Sequence, residues 1–492
     1  MISSHLPVLQ VVLPLMAAPL CILLKRSSLL WGFALIISLL STIIAWLLLQ
    51  QTGTGVISYA LGGWAAPWGI EYRVDTLNAY VLLIVSAISS LVLLGGRVSI
   101  EQEIESKNHS LFYTAYLLCF AGLLGITITG DAFNVFVFLE ISSLSSYALI
   151  SLGRDRRALT AAYQYLVMGT IGATFILIGI GMMYMITGTL NMHDLAQRLP
   201  EANNSRTMLT AFAFMFVGVS LKLALFPLHL WLPNAYTYAP SIVSAFLAGT
   251  ATKVAVYVLL RFIFTVFGVD YAFTQLPLSA ILMLLAIAAI LLATMSAIYE
   301  NNLKRLFAYS SVAQLGYMVL GISFLSVTGL TSSLLHLFNH ALMKAALFMA
   351  LACVMYQQGG VMMSNLKGLG RRMPWTFAAI VIGGLSLVGL PLTVGFISKW
   401  FLLLAAIEAE QFILVGIILT GSLLALVYVW RIVEQGYFHS SEEDISHRQE
   451  APLSLLLPTW LLVLANIYYG IDTRLTIGVA QTTAQQLLGV SQ

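Results

Sequence analysis

The sequence predicts an all-α polytopic membrane protein of about 14 transmembrane helices. Three observations carry this: a composition too apolar for a soluble chain, a near-unbroken series of apolar runs of membrane-crossing length, and basic residues that change sides in step with those runs. Of the 492 residues, 60% are hydrophobic and only 9% charged, and the mean hydropathy is +0.93. That excludes the soluble domains that length alone would allow. Apolar runs of about 20 residues, each enough to cross a hydrocarbon core of roughly 30 Å, follow one another almost without interruption. A net charge of +3 with no long basic run argues against nucleic acid as a partner. Cys21, Cys119 and Cys353 lie far apart and form no CxxC, so no iron–sulfur or zinc site is encoded and no cofactor is expected on this chain. Any redox chemistry would sit on another chain. The first run has no basic segment before it and contains Pro7, Pro14 and Pro19, so it reads as a retained span and not as a cleaved signal.

Glycine, proline and charge punctuation places the spans near 6–24, 30–50, 74–96, 111–129, 131–152, 160–187, 206–226, 240–260, 276–297, 304–324, 329–356, 375–408, 411–430 and 452–470. Gly130 and Asp131 form the turn and helix start between the fourth and fifth, with Asp131 as N-cap. Cytoplasmic loops are enriched in Lys and Arg, which tests the count. Fourteen of the 23 basic residues, among them Arg97, Lys107, Lys304, Arg371 and Arg448, fall on one side. Arg73, Arg198, Arg206, Arg261 and Arg474 fall on the other, and Lys222, Lys253, Lys344 and Lys399 fall inside spans. The asymmetry predicts an even number of spans in the cell (inner) membrane with both termini on the non-cytoplasmic side. Most of the loop charges read as topogenic or solvated.

Two spans are interrupted. The seventh runs into Phe226-Pro227-Leu228-His229, and the twelfth carries Gly389-Leu390-Pro391 before Gly395 and Lys399. Proline removes a donor and frees a carbonyl one turn earlier, which is tolerated at membrane depth only beside protein or water. Broken helices in corresponding positions of two halves are the usual trace of an inverted repeat. The expected division is therefore 1–110 for helices 1–3, 111–265 for the first five-helix repeat, 266–435 for the second, and 436–492 for helix 14 and the tail. Lys222 precedes its proline whereas Lys399 follows its own, so the two halves are not copies in detail.

The intramembrane charges carry the chemistry. A Lys or Asp at mid-bilayer costs roughly 2.5–3.5 kcal/mol even on the insertion scale. Glu140, nine residues after Asp131, would lie about 13 Å along a helix starting there, too deep to snorkel. Four lysines against one carboxylate leave about three positive charges without a fixed partner, which desolvation opposes. Some of these lysines must then be neutral part of the time, and a lysine that gives up its proton can carry one. In the eleventh span, His336, His340 and Lys344 repeat at four and four. That spacing stacks three titratable groups on one helical face about 6 Å apart, close enough for water to bridge neighbours. It is a proton-relay spacing, since imidazole accepts at one nitrogen and donates from the other. A metal pair is the weaker reading, for want of a third ligand. Tyr309, Ser310, Ser311 and Gln314 either line a hydrated path or join helices; His229 either joins the path or satisfies carbonyls freed near Pro227.

Several stretches in order along nearly the whole chain resemble the antiporter-like subunits of respiratory complex I, membrane-bound hydrogenases and Mrp multisubunit Na⁺/H⁺ antiporters. They are Gly62-Gly63-Trp64 with Pro67-Trp68-Gly69-Ile70 and Asp75; Asp131 to Asn134 and Phe138 to Glu140; Lys222 to Pro233; Leu303 to Arg305 and Ser310 to Tyr317; His340 to Lys344; and Gly395 to Lys399. The Gly-Gly-Trp region and the stretch Thr187 to Met192 look most like the D subunit of Mrp antiporters. The resemblance implies 14 helices with two inverted five-helix repeats and broken helices 7 and 12. It also implies roles: Glu140 and Lys222 as the charge pair of one half-channel, Lys253 as connecting lysine, His336, His340 and Lys344 as central relay, and Lys399 as exit group. The function implied is proton translocation within a multisubunit Na⁺/H⁺ antiporter, with other hydrophobic subunits, the bilayer, protons and Na⁺ as partners. The alternative within the family is a proton-pumping subunit of an NADH-quinone oxidoreductase or hydrogenase-type respiratory complex. Outside it stand a quinone-binding redox subunit, a structural scaffold and an autonomous solute transporter.

Overall fold

The computed structural model describes residues 2–202, 205–439 and 449–490; Arg448, one of the cytoplasmic-side cations expected above, lies outside them. Among the described residues, thirteen helices are long and apolar enough to cross a membrane, and a pair of 15-residue helices separated by a break supplies the fourteenth crossing. The first three crossings are α1 (Leu6–Leu20), α2 (Ser27–Gln51) and α3 (Thr76–Glu103). The next five are built from α4 (His109–Ile128), α5 (Ala132–Ser151), α6 (Arg157–Thr187), the short α7 (Met192–Arg198), α8 (Arg206–Leu223), α9 (Trp231–Tyr238) and α10 (Ser241–Leu260). In the second five, α11 (Leu278–Ala288) passes through a π-wound stretch into α12 (Thr294–Tyr299). Then follow α13 (Leu303–Ser323), α14 (Val327–Gln358), the short α15 (Leu369–Arg372), α16 (Pro374–Val388), α17 (Val394–Glu408) and α18 (Phe412–Tyr437). α19 (Leu453–Ile471) is the last crossing, and α20 (Arg474–Leu488) folds back against α14.

The two sets of five share their joints. Asp131 caps α5 by accepting from Asn134 N–H, and Asn302, 171 positions later, caps α13 by accepting from Arg305 N–H. Ala132 N–H donates to Leu190 O and Met192 N–H to Gly130 O; Leu303 N–H donates to Val361 O and Met363 N–H to Asn301 O at the same offset. α6 and α14 both end on a left-handed glycine, Gly188 and Gly359, where a side chain would be strained. The breaks match too, at an offset of 165. Leu225 N–H reaches back to Ser220 O and Leu390 N–H to Leu385 O, with Ala224 and Gly389 in the left-handed region. Five crossings separate matching helices, an odd number, so the second set runs inverted through the membrane.

α10, α13 and α14 are almost wholly surrounded by protein, while α18 keeps a largely outward apolar face. α14 is the hub, packing on α10, α13, α16, α17, α19 and α20. This explains why it tolerates two histidines and a lysine: His336, His340 and Lys344 are all buried within protein. β1 (Ile57–Ala60) and β2 (Glu71–Val74) pair antiparallel, Ile57 opposite Val74 and Ala60 opposite Glu71. Their loop puts Trp64 and Trp68 outward, as aromatic anchors sit at a membrane–water boundary. Glu71 O accepts from Gly130 N–H, and the Glu71 carboxylate accepts from Asn191, tying this hairpin to the α4–α5 turn.

Candidate functional site

The predicted residues divide into two clusters. In the first, the break after Leu223 leaves the last carbonyls of α8 without helical donors. Trp231 Nε1 donates to Leu221 O at 3.0 Å, and its indole stacks on Tyr165 with centroids 4.0 Å apart and planes within 1°. The break is thus closed jointly by the Ala224 and Leu225 N–H groups, which reach Leu221 O and Ser220 O, and by the indole. Lys222 Nζ donates to Ser143 Oγ at 2.9 Å, one turn beyond Glu140 on α5. No ion pair within 4.0 Å joins Lys222 to Glu140 among the described residues, although the carboxylate acts on the lysine through space. One Glu140 oxygen is buried without a partner. A cavity of about 40 Å³ beside Lys222, lined by Ser142, Ser143, Ser146 and Tyr165, has room for water.

The second cluster surrounds α14. The His336 and His340 rings are nearly parallel, centroids 6.1 Å apart, as the four-residue spacing requires. His336 Nδ1 shares a hydrogen bond with Ser398 Oγ at 2.8 Å, but His336 Nε2 and both nitrogens of His340 are buried without partners. Lys344 turns to α13, donating to Phe307 O at 2.8 Å and to Ser310 Oγ. Lys253 donates to Ala248 O and Thr252 Oγ1. Lys399 lies on α17 and closes the second break itself, donating to Leu387 O at 2.8 Å, Val388 O at 3.0 Å and Ser422 Oγ at 2.9 Å. His229 faces Phe226 and Tyr309 with Nδ1 unpaired.

Two residues read from sequence as solvated loop cations are instead buried. Lys304 is 1% exposed and donates to Ala239 O at 2.9 Å; Glu103, which accepts from Ser241, acts on it. Arg261 forms an ion pair with Asp75 at 2.8 Å, on the wall of a cavity of about 340 Å³ bounded also by Arg73, His193 and Gln486. Both partners lie far away in sequence, which is why a local reading misses them. Burial alone would raise the Asp75 carboxyl, but the Arg261 charge and hydrogen bond, the Asn78 N–H and the charge of Arg73 together hold it below the usual carboxylate value. Sequence reasoning also passed over Gly169. A Cβ there would collide with the Tyr147 hydroxyl and lie 3.3 Å from Lys222 Nζ, so the absent side chain makes room for the lysine.

The family profile described as NADH:quinone oxidoreductase/Mrp antiporter, TM, matches residues 129–425. The chain is 38% identical over 491 residues to the N subunit of the NADH-quinone oxidoreductase of Desulforudis audaxviator, covering 95% of this chain and 96% of that protein. It is 29% identical over 489 residues to the D subunit of the Na(+)/H(+) antiporter of Alkalihalophilus pseudofirmus, covering 99% and 97%. Among solved structures, a chain of the membrane-bound sulfane sulfur reductase, an archaeal respiratory membrane complex, matches with a TM-score of 0.90 at 30% identity and 98% coverage of both chains. This multi-pass membrane chain belongs to the NADH:quinone oxidoreductase/Mrp antiporter family, as an antiporter-like subunit of Mrp or complex I-type assemblies.

Proposed function

We propose that this chain conducts protons as one subunit of a multisubunit monovalent cation (Na⁺)/H⁺ antiporter, through two half-channels joined by a buried Glu, Lys and His axis. The half-channels correspond to 111–265 and 266–435, and both termini face away from the cytoplasm. The observation that carries the reading is the α14 row. Three of its four imidazole nitrogens are buried without protein partners, beside lysines whose neighbours are carbonyls and hydroxyls. Unsatisfied buried nitrogens are costly unless water or a mobile proton serves them. In the first half, the charge of Glu140 favours a protonated Lys222; neutralising or withdrawing that carboxylate drives the lysine's proton toward Lys253. His336, His340 and Lys344 then pass it across the hub, and Lys399 is the exit group. Weak screening inside the protein makes each charge movement bias the next.

A second reading, a proton-pumping subunit of a respiratory complex, is favoured by the 38% identity to an oxidoreductase subunit. Purification in mild detergent separates the two: small hydrophobic partners alone support the antiporter, whereas flavin and iron–sulfur partners support the respiratory complex. Everted vesicles carrying the complex should then show sodium-dependent pH changes that disappear in Lys222→Ala. Unchanged ion movement in that variant, with normal assembly, would overturn the proton-path reading.

A further inference from the structure

The half-channels differ in how they hold their lysine. The joints of α5 and α13 correspond at an offset of 171, which puts Ser311 where Glu140 stands. The second half thus has no carboxylate at the position that faces Lys222 in the first. Its lysine nevertheless occupies a built cradle. Lys399 Nζ donates to Leu387 O, Val388 O and Ser422 Oγ, and it sits 4.6 Å from the centroid of the Tyr317 ring. Tyr317 is buried between α13 and α18, where a Cβ on Gly421 would collide with its hydroxyl. The hydroxyl makes no hydrogen bond within 3.5 Å, and its polar neighbour is Ser422, the hydroxyl that also holds Lys399. The same ring stands edge-on to His336, centroids 6.0 Å apart and planes 64° apart. Tyr317 therefore lies between the central histidines and the exit lysine.

We propose that Tyr317 is a positioning residue for Lys399: its ring face is the fixed counter-group of the ammonium, taking in the second half the place that the Glu140 carboxylate holds in the first. An aromatic face attracts a cation through its quadrupole, most strongly away from water. Unlike a carboxylate, it cannot be neutralised by taking up a proton. The two lysines are then governed differently, Lys222 by the full charge of a carboxylate and Lys399 by the quadrupole of an aromatic face. Proton release from Lys399 must follow a change in its distance from the ring or a charge arriving at His336. This rests on the proton-conducting role proposed above.

The test places phenylalanine and its mono-, di- and trifluorinated forms at position 317 in the assembled complex. Fluorination drains the ring quadrupole with little change of shape. Tyr317→Phe should retain at least half of proton transport, because the ring face persists. Transport should then fall stepwise with fluorine number, to about ten- to thirtyfold at trifluorination. The unfolding temperature of the complex should fall along the same series, and should stop doing so when Lys399→Met is also present. Flat responses of both transport and unfolding temperature, or a full loss in Tyr317→Phe, overturn the proposal. If the parent complex moves no protons, the proton-conducting reading fails, and the unfolding series alone decides whether the ring holds Lys399.

Discussion

Single residues decide whether the buried cations can work. Gly169→Ala adds one methyl group where the Tyr147 hydroxyl and Lys222 ammonium meet. We expect proton transport to fall at least tenfold while the complex still assembles, measured by pH-dye quenching in vesicles alongside subunit co-purification. Transport at the parental rate would show that Lys222 needs no fixed place. Glu140→Gln, which keeps shape but removes charge, should lower transport by a similar factor; Ser311→Ala, at the matching position in the second half, should leave it within about twofold. The catalytic-looking residues were legible because charge is rare at membrane depth: Glu140, the four lysines and the two histidines stand out against apolar neighbours. Gly169 and Tyr317 were not, because each resembles an ordinary packing residue and its meaning lies in what it approaches. Lys304 and Arg261 misled for the opposite reason, since a charge at a span end looks solvated until Ala239 or Asp75 arrives from elsewhere in the chain.

At the level of elements, the two helix breaks are closed by different chemistry. Trp231→Phe keeps the stack on Tyr165 but removes the donor to Leu221 O. Leu221 O keeps the bond from Ala224 N–H, so losing the indole donor should cost about 0.5–1.5 kcal/mol, readable as a lowered unfolding temperature. An unchanged temperature would mean that the Ala224 N–H bond to the carbonyl suffices without the indole. The Asp75–Arg261 pair fastens the start of α3 to the end of α10. Asp75→Asn keeps a helix-capping side chain but strands the Arg261 charge, and should cost about 2–4 kcal/mol. The sign of the pH effect follows from the lowered Asp75 carboxyl. Its contribution is fully present above the ordinary value of about 3.9 and is lost as pH falls through the lower folded value. The parent protein should therefore lose this increment only in strong acid, whereas Asp75→Asn should lack it at every pH. Span positions were legible because hydropathy and proline set them locally. The β1–β2 hairpin was not, since two four-residue strands around a tryptophan-rich loop give too short a pattern.

Across the whole molecule, the matched joints of the two helix sets frame two buried polar clusters, one around Lys222 on α8 and one around the central α14. Such clusters are costly to bury, and the proton path proposed above would give that cost a use. Isolating the complex and identifying its other chains will decide which kind of assembly it serves, and the prediction is small hydrophobic subunits without flavin. The most direct measurement for the mechanism is time-resolved infrared or nitrogen magnetic resonance on selectively labelled lysine and histidine in the assembled complex during turnover. Our account predicts that Lys222, Lys399 and at least one of His336 and His340 interconvert between protonated and neutral forms at the transport rate. A record in which every one of them keeps a single ionisation state while protons cross would contradict it.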